Sequence, residues 1–124
     1  MQFLFYISVV VIVFIVLVYK FPFVRICERS MLPRLKDGEL YIGYRYTFTP
    51  KVTVGKIYIF KPPYFKTERR YVIKRAALCN NRKVYFLGDN PEESYDSRDY
   101  GLIEAKNIVG KLLVKVGEKH EKDN

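Results

Sequence analysis

Residues 3–19, FLFYISVVVIVFIVLVY, run for 17 positions without a charge, and their reading decides how the chain is built. Coiled as a helix at 1.5 Å per residue, the run spans about 25 Å, near the short limit for crossing a bilayer. Phe21 and Phe23 extend the apolar stretch, and Pro22 makes a natural stop. Val and Ile dominate, which suits a buried strand, but strands of small domains usually hold only about 3–10 residues. A cleaved signal peptide would carry a basic stretch before the run and a small-x-small site after it, and neither is seen. Residues 1–23 therefore read as a retained, single-span transmembrane anchor. Lys20 and Arg25 flank its C-terminal end, and by the positive-inside rule they weakly favour a cytoplasmic body.

Beyond the anchor, residues 24–117 suffice for one small domain, and 118–124 form a charged tail expected to fray. Short β-branched runs at 24–27, 39–44, 56–60, 70–75, 83–87 and 108–116 alternate with turn signals at 36–38, 49–50, 61–63, 79–81 and 88–91. A helical turn or two fits only near 104–107. Eleven Tyr and nine Phe, with no Trp, add to the expectation of a mainly β domain behind one N-terminal transmembrane helix. An apolar share of 49% excludes a disordered polyelectrolyte.

Lys and Arg number 22 against 13 acids, a formal charge of +9. The excess lies in the body, scattered rather than striped, and no nucleic-acid motif accompanies it. It reads as a solvated basic surface with contact to anionic lipid headgroups, and nucleic acid is not expected as a partner. The sole histidine, His120, stands in the tail, which disfavours Ser-His-Asp and Cys-His mechanisms and histidine-built metal sites. Two cysteines, Cys27 and Cys79, form one bridge or none, and are too few for a four-thiolate zinc site. No metal or organic cofactor is implied.

Three stretches carry chemistry. Ser30-Met31-Leu32-Pro33 follows a strand candidate, so a Pro-limited turn can hold the Ser30 hydroxyl exposed and fixed; the bland reading is a turn residue. Tyr71-Val72-Ile73-Lys74-Arg75 ends a β-branched run on a lysine, and most such lysines snorkel at the surface. The third stretch, GDNPEESYDSRDYG at 88–101, is dense in small, hydrogen-bonding and charged groups; its bland reading is a long polar loop.

Together, and in this order behind one span, these stretches resemble the type I signal peptidase family in its minimal single-span form. The last block matches the family pattern at eight positions: Gly88, Asp89, Asn90, Ser94, Asp96, Ser97, Arg98 and Gly101. The resemblance covers about residues 24–116. It implies a membrane-bound serine endopeptidase that removes signal peptides from exported precursors after small-x-small sites, through an acyl-enzyme. Ser30 would be the nucleophile and Lys74 the general base. Ser94 would orient the lysine amine, Asp96 and Arg98 would form a supporting ion pair, Met31 would pack near the nucleophile, and Pro33 would fix the turn. An exposed lysine titrates near 10.4, so the reading requires burial of Lys74, with residues 71–73 as an apolar wall. Ser-Lys dyads are a variant of triad logic.

A precursor peptide would pair with strand edges leading to Ser30 and Lys74, its small side chains entering pockets for which Ile26, Met31, Tyr71 and Ile73 are the candidates. Its partners would be signal-peptide-bearing precursors and membrane lipid, with the body on the non-cytoplasmic side, where such precursors are cut. Two residues before the nucleophile, where the family usually has Gly or Ser, the chain has Glu28, and Arg34 replaces the usual threonine after Pro33. A carboxylate aimed at a developing oxyanion opposes catalysis. Either Glu28 points away, pairing with Arg29 or another base, or the oxyanion relies on the Ser30 N–H alone. The same departure keeps open a membrane-tethered module that binds precursors without cutting them, or that serves one dedicated substrate.

Overall fold

A computed structural model describes residues 1–62 and 71–118. Part of the 61–63 turn, the start of the 70–75 run, and the tail expected to fray, from 119 onward with His120, lie outside these residues. Helix α1 (Gln2–Lys20) holds the apolar run, and none of its 19 residues is buried against the protein. At 1.5 Å per residue it is about 28 Å long. It is long and apolar enough to cross a membrane.

The helix is clasped to the body. Arg45 Nε donates to the Tyr19 carbonyl at 3.1 Å, Lys20 Nζ donates to the Arg45 carbonyl at 3.1 Å, and Lys20 also reaches the Thr47 hydroxyl. The Arg45 guanidinium lies 4.5 Å from the Tyr19 ring centroid, a cation–π geometry. Phe21 meets Tyr44 edge-on at 5.7 Å.

Among the described residues, the body is one antiparallel sheet of seven strands in the order β1-β2-β7-β3-β4-β5-β6. The strands are β1 (Phe23–Arg25), β2 (Leu40–Arg45), β3 (Ile57–Phe60), β4 (Val72–Asn80), β5 (Lys83–Leu87), β6 (Ile103–Glu104) and β7 (Ile108–Gly117). The mainly β expectation therefore holds. Phe23, taken as the last anchor residue, already pairs with Ile42 in the sheet. A 3-10 turn at Ala105–Asn107 answers to the helical turn expected near 104–107.

The structure moves one turn. A turn is expected at 79–81, but β4 continues through Asn80. The reversal falls on Asn81 and Arg82, with φ of 48° and 62°. Both central residues at positive φ match the twist that a tight hairpin demands, and Asn tolerates that region well.

Two apolar clusters fill the interior. The larger gathers Tyr58, Phe60, Ala76, Val84, Phe86, Ile103, Ala105 and Ile108, with Phe60 stacked on Phe86 at 4.2 Å. The smaller holds Ile26, Met31, Leu35 and Tyr41, with Val24, Ile57, Ile73 and Leu112 against it. Side chains alternate across a strand, so β4 sends Val72 and Ala76 to the first cluster and Ile73 to the second. Lys74 shares the face of Val72 and Ala76 and is buried among them.

Candidate functional site

The segment between β1 and β2 is folded back by its apolar residues. Ile26 N–H donates to the Glu39 carbonyl at 2.9 Å, Gly38 N–H returns to the Ile26 carbonyl at 2.7 Å, and Leu35 N–H donates to the Met31 carbonyl at 2.9 Å. With Ile26, Met31 and Leu35 all buried, the turn at residues 29–32 is pinned from below. Ser30 at its head is buried rather than exposed as its turn position suggests, because Lys74 and the 88–90 segment close over it, and Pro33 follows Leu32 through a cis bond.

Lys74 comes from β4, opposite Tyr58 of β3. Its side chain is 1% exposed, and its Nζ donates to Ser30 Oγ at 2.7 Å. The nucleophile and base candidates, 44 residues apart in sequence, are thus in hydrogen-bonding contact. Two influences act on the amine. Burial penalises an ammonium, whereas a neighbouring carboxylate favours it.

That carboxylate is Glu28. Its Oε2 accepts from Ser30 Oγ at 3.2 Å and from Lys74 Nζ at 3.3 Å. Of the partners offered for Glu28, Arg29 or another base, the structure gives another base, Lys74; Arg29 bridges to Glu93 at 3.1 Å. Neighbouring residues in an extended segment point to opposite sides, so Glu28 turns inward as Arg29 turns out. Sequence reasoning had Glu28 as a departure from a pattern; nothing local to the chain signals that it faces the lysine, since Lys74 arrives from another strand.

The 88–101 stretch forms the wall behind this pair. Asn90 N–H donates to the Ser30 carbonyl at 2.8 Å, and Asn90 Nδ2 donates to the Arg29 carbonyl at 3.0 Å. A Cβ on Gly88 would stand 2.7 Å from the Ser30 carbonyl oxygen and 2.6 Å from Ser94 Cβ. Only a residue without a side chain lets the wall approach so closely. Arg75, next to Lys74, makes a two-pronged ion pair with Asp89 at 2.9 and 2.7 Å, tying β4 to the wall.

Asp96 is fully buried and gathers the rest. It accepts from Ser94 Oγ at 2.6 Å, from Gly88 N–H at 2.9 Å, and from Arg98 through Nε at 2.9 Å and Nη2 at 2.6 Å. Burial alone would raise its carboxyl, but the bonds from Arg98, Gly88 and Ser94 outweigh that and hold it far below the usual carboxylate range. Asp96 also caps helix α2 (Ser97–Tyr100) in a reciprocal box with Asp99. Asp96 followed three residues later by Asp99 is a variant of the capping-box signature, in a stretch whose bland reading is a long polar loop. Ser94 lies here with its proton committed to Asp96, so it can offer a lysine only its lone pairs.

The four residues nominated as pocket lining, Ile26, Met31, Tyr71 and Ile73, border one cavity of about 260 Å³ together with Arg25, Cys27, Glu28, Ser30 and Leu35. A second cavity of about 320 Å³ adjoins it across Arg25, Tyr71 and Ile73. Among the described residues, β4 is paired on its β5 side only from Arg75 onward. Residues 72–74 therefore present a strand edge to the cavities. Cys27 and Cys79 are exposed free thiols.

Comparison with protein families finds one correspondence: the model described as signal peptidase, peptidase S26, matches residues 76–116. The match contains Gly88, Ser94, Asp96 and Arg98 and begins two residues after Lys74. No curated protein matches the chain.

Proposed function

We propose that this chain is a membrane-anchored serine endopeptidase of the signal-peptidase type, in which Ser30 attacks and Lys74 serves as the base. The observation that carries the reading is the 2.7 Å contact between Ser30 Oγ and the amine of the buried Lys74. The family match to the wall behind that contact supports it. In the neutral form Lys74 takes the Ser30 proton as Oγ bonds to the scissile carbonyl carbon. The tetrahedral intermediate collapses to an acyl-enzyme as Lys74 passes that proton to the leaving nitrogen, which departs as the new amino terminus. Lys74 then draws a proton from water, which frees the acyl group.

The precursor would lie extended along the 72–74 edge, with alternate side chains entering the two cavities. Aliphatic walls at Ile26, Met31 and Ile73 suit small apolar residues before the cut. Asp96, Arg98 and Ser94 would act as supports that hold the wall and, through it, Ser30. In this reading residues 1–23 are the anchor, 24–117 the catalytic domain and 118–124 a polar tail.

The test is cleavage of a precursor bearing an Ala-x-Ala site by the detergent-solubilised protein, with Ser30→Ala in parallel. Cleavage at that site, absent from the variant, is the expected result. Precursor binding without cleavage by the folded native chain would instead select the tethered binding module.

The body is placed on the non-cytoplasmic side, since precursors are presented there, against the weak pull of Lys20 and Arg25. Protease added outside intact cells should remove the body while sparing α1. A body that resists outside protease until the membrane is opened would reverse the assignment.

A further inference from the structure

Glu28 stands where the chain departs from the pattern it otherwise follows, and its carboxylate touches both reacting groups. It lies 3.2 Å from Ser30 Oγ and 3.3 Å from Lys74 Nζ. An ionised carboxylate there has two adverse effects on acyl transfer. It stabilises Lys74 as an ammonium, which cannot accept a proton, and it sets negative charge beside the atom where an oxyanion is about to form. A single proton transfer removes both.

We propose that Glu28 takes the proton of the Lys74 ammonium once a precursor covers the cleft, and then donates a hydrogen bond to the oxyanion as a neutral carboxylic acid. The inference rests on the Ser30–Lys74 reading given above. In the first step the Nζ–H bond breaks with its electron pair left on nitrogen, and an O–H bond forms on Glu28 Oε2, so that both charges vanish together. The Lys74 lone pair next takes the Ser30 hydroxyl proton while Oγ bonds to the carbonyl carbon and the C=O π pair moves onto oxygen. The Glu28 O–H donates to that oxygen. On collapse the π bond re-forms, the C–N bond breaks, and Lys74 passes the serine proton to the leaving amine. After deacylation by water and departure of the products, Glu28 returns its proton to Lys74.

The surroundings favour this exchange. Lys74 is already sealed from water, while the Glu28 side chain keeps 32% of its surface exposed in the open cleft. Ile26, Met31, Leu35 and Ile73 make most of the wall of the cavity around it, with Arg25, Cys27 and Tyr71 completing the lining. A precursor strand laid across it displaces the remaining water, and loss of water penalises an ion pair more than the neutral pair it becomes on proton transfer. A carboxylic acid kept neutral by an apolar site is a competent oxyanion donor. Glu28 thereby takes the place of the hydroxyl that the resembled family carries at this position in some members.

Two substitutions separate this role from its rivals. Glutamine keeps a donor and removes the charge; alanine removes both. Single-turnover cleavage of the Ala-x-Ala precursor by the full-length, solubilised protein is measured for Glu28→Gln, Glu28→Ala and Ser30→Ala, with thermal unfolding as the check on folding. Glu28→Gln should stay within about tenfold of the native rate, while Glu28→Ala should fall about 100-fold or more in kcat with little change in KM. An alanine variant as fast as the native protein would overturn the inference and make Glu28 an obstacle. Equal losses for glutamine and alanine would overturn it too, leaving Glu28 a plain ion-pair partner. Cleavage that survives Ser30→Ala is a separate failure, that of the dyad itself.

Discussion

Lys74→Met is expected to lower precursor cleavage by about 10³-fold or more while leaving the protein as stable as before, or more so. The two halves follow from one fact: the amine is buried to 1% exposure in contact with Ser30 and Glu28. A general base contributes roughly 10²–10⁴ to a rate, and without it Ser30 keeps its proton. Methionine has similar length and fills the same space with no charge to desolvate. Replacing both members of a buried ion pair with apolar volume is often neutral or stabilising by about 1–4 kcal/mol, and losing one member is costly only where the other stays buried. Glu28, left behind, is partly exposed and can be rehydrated. Single-turnover cleavage and thermal unfolding on the same preparation check both halves. A methionine variant that cleaves near the native rate removes Lys74 from the mechanism. One that loses activity and stability together makes it a structural residue.

Asp96→Ala should act in the opposite manner, through the fold. Asp96 is fully buried, and its loss leaves the Gly88 N–H and the Ser94 hydroxyl without the acceptor they now share. An orphaned buried donor such as the Gly88 N–H costs about 1–3 kcal/mol, and the part-buried Ser94 hydroxyl costs less. Arg98 is 40% exposed, so its charge can turn to water and adds little. A total near 3 kcal/mol lowers the midpoint of a body this size by about 10–20 °C. Because Gly88 and Asn90 hold the Ser30 segment, cleavage should fall as well.

The same carboxylate sets an acid limit. Its folded-state pKa is depressed, so its stabilising contribution is intact at neutral pH and is lost as pH falls below the ordinary aspartate value of 3.8 toward the folded value. Thermal unfolding from pH 7 to pH 2 should show that loss, and Asp96→Ala should flatten it. A variant with native stability and an unchanged acid limb would remove Asp96 from the support of the site.

What the sequence discloses and what it hides divides along physical lines. The helix was legible from an unbroken apolar run, and most strands from β-branched residues between turn formers, since those patterns express local burial. Strand β6 holds only Ile103 and Glu104 and offers no period to read. Helix α2 is four residues long, and only its aspartate cap marks it. Ser30, Lys74, Ser94, Asp96 and Arg98 could be nominated because their residue types and order resemble the signal peptidase pattern. The inward turn of Glu28 could not, because its cause is a lysine that the chain reaches 46 residues later.

The position of β7 has a consequence for when the protein can work. β1 and β2 stand on one side of it and β3 to β6 on the other. Ser30 belongs to the first group and Lys74 to the second. Their meeting therefore depends on the strand that the ribosome completes last among the described elements. Until residues 108–117 have emerged, the two groups lack the shared neighbour that holds them in one sheet, and closing so long a loop without it is entropically unfavourable. On the Ser30–Lys74 reading proposed above, a nascent chain carries nucleophile and base as separate pieces, and a capacity to cut peptide bonds would arise only once residues 108–117 have been made.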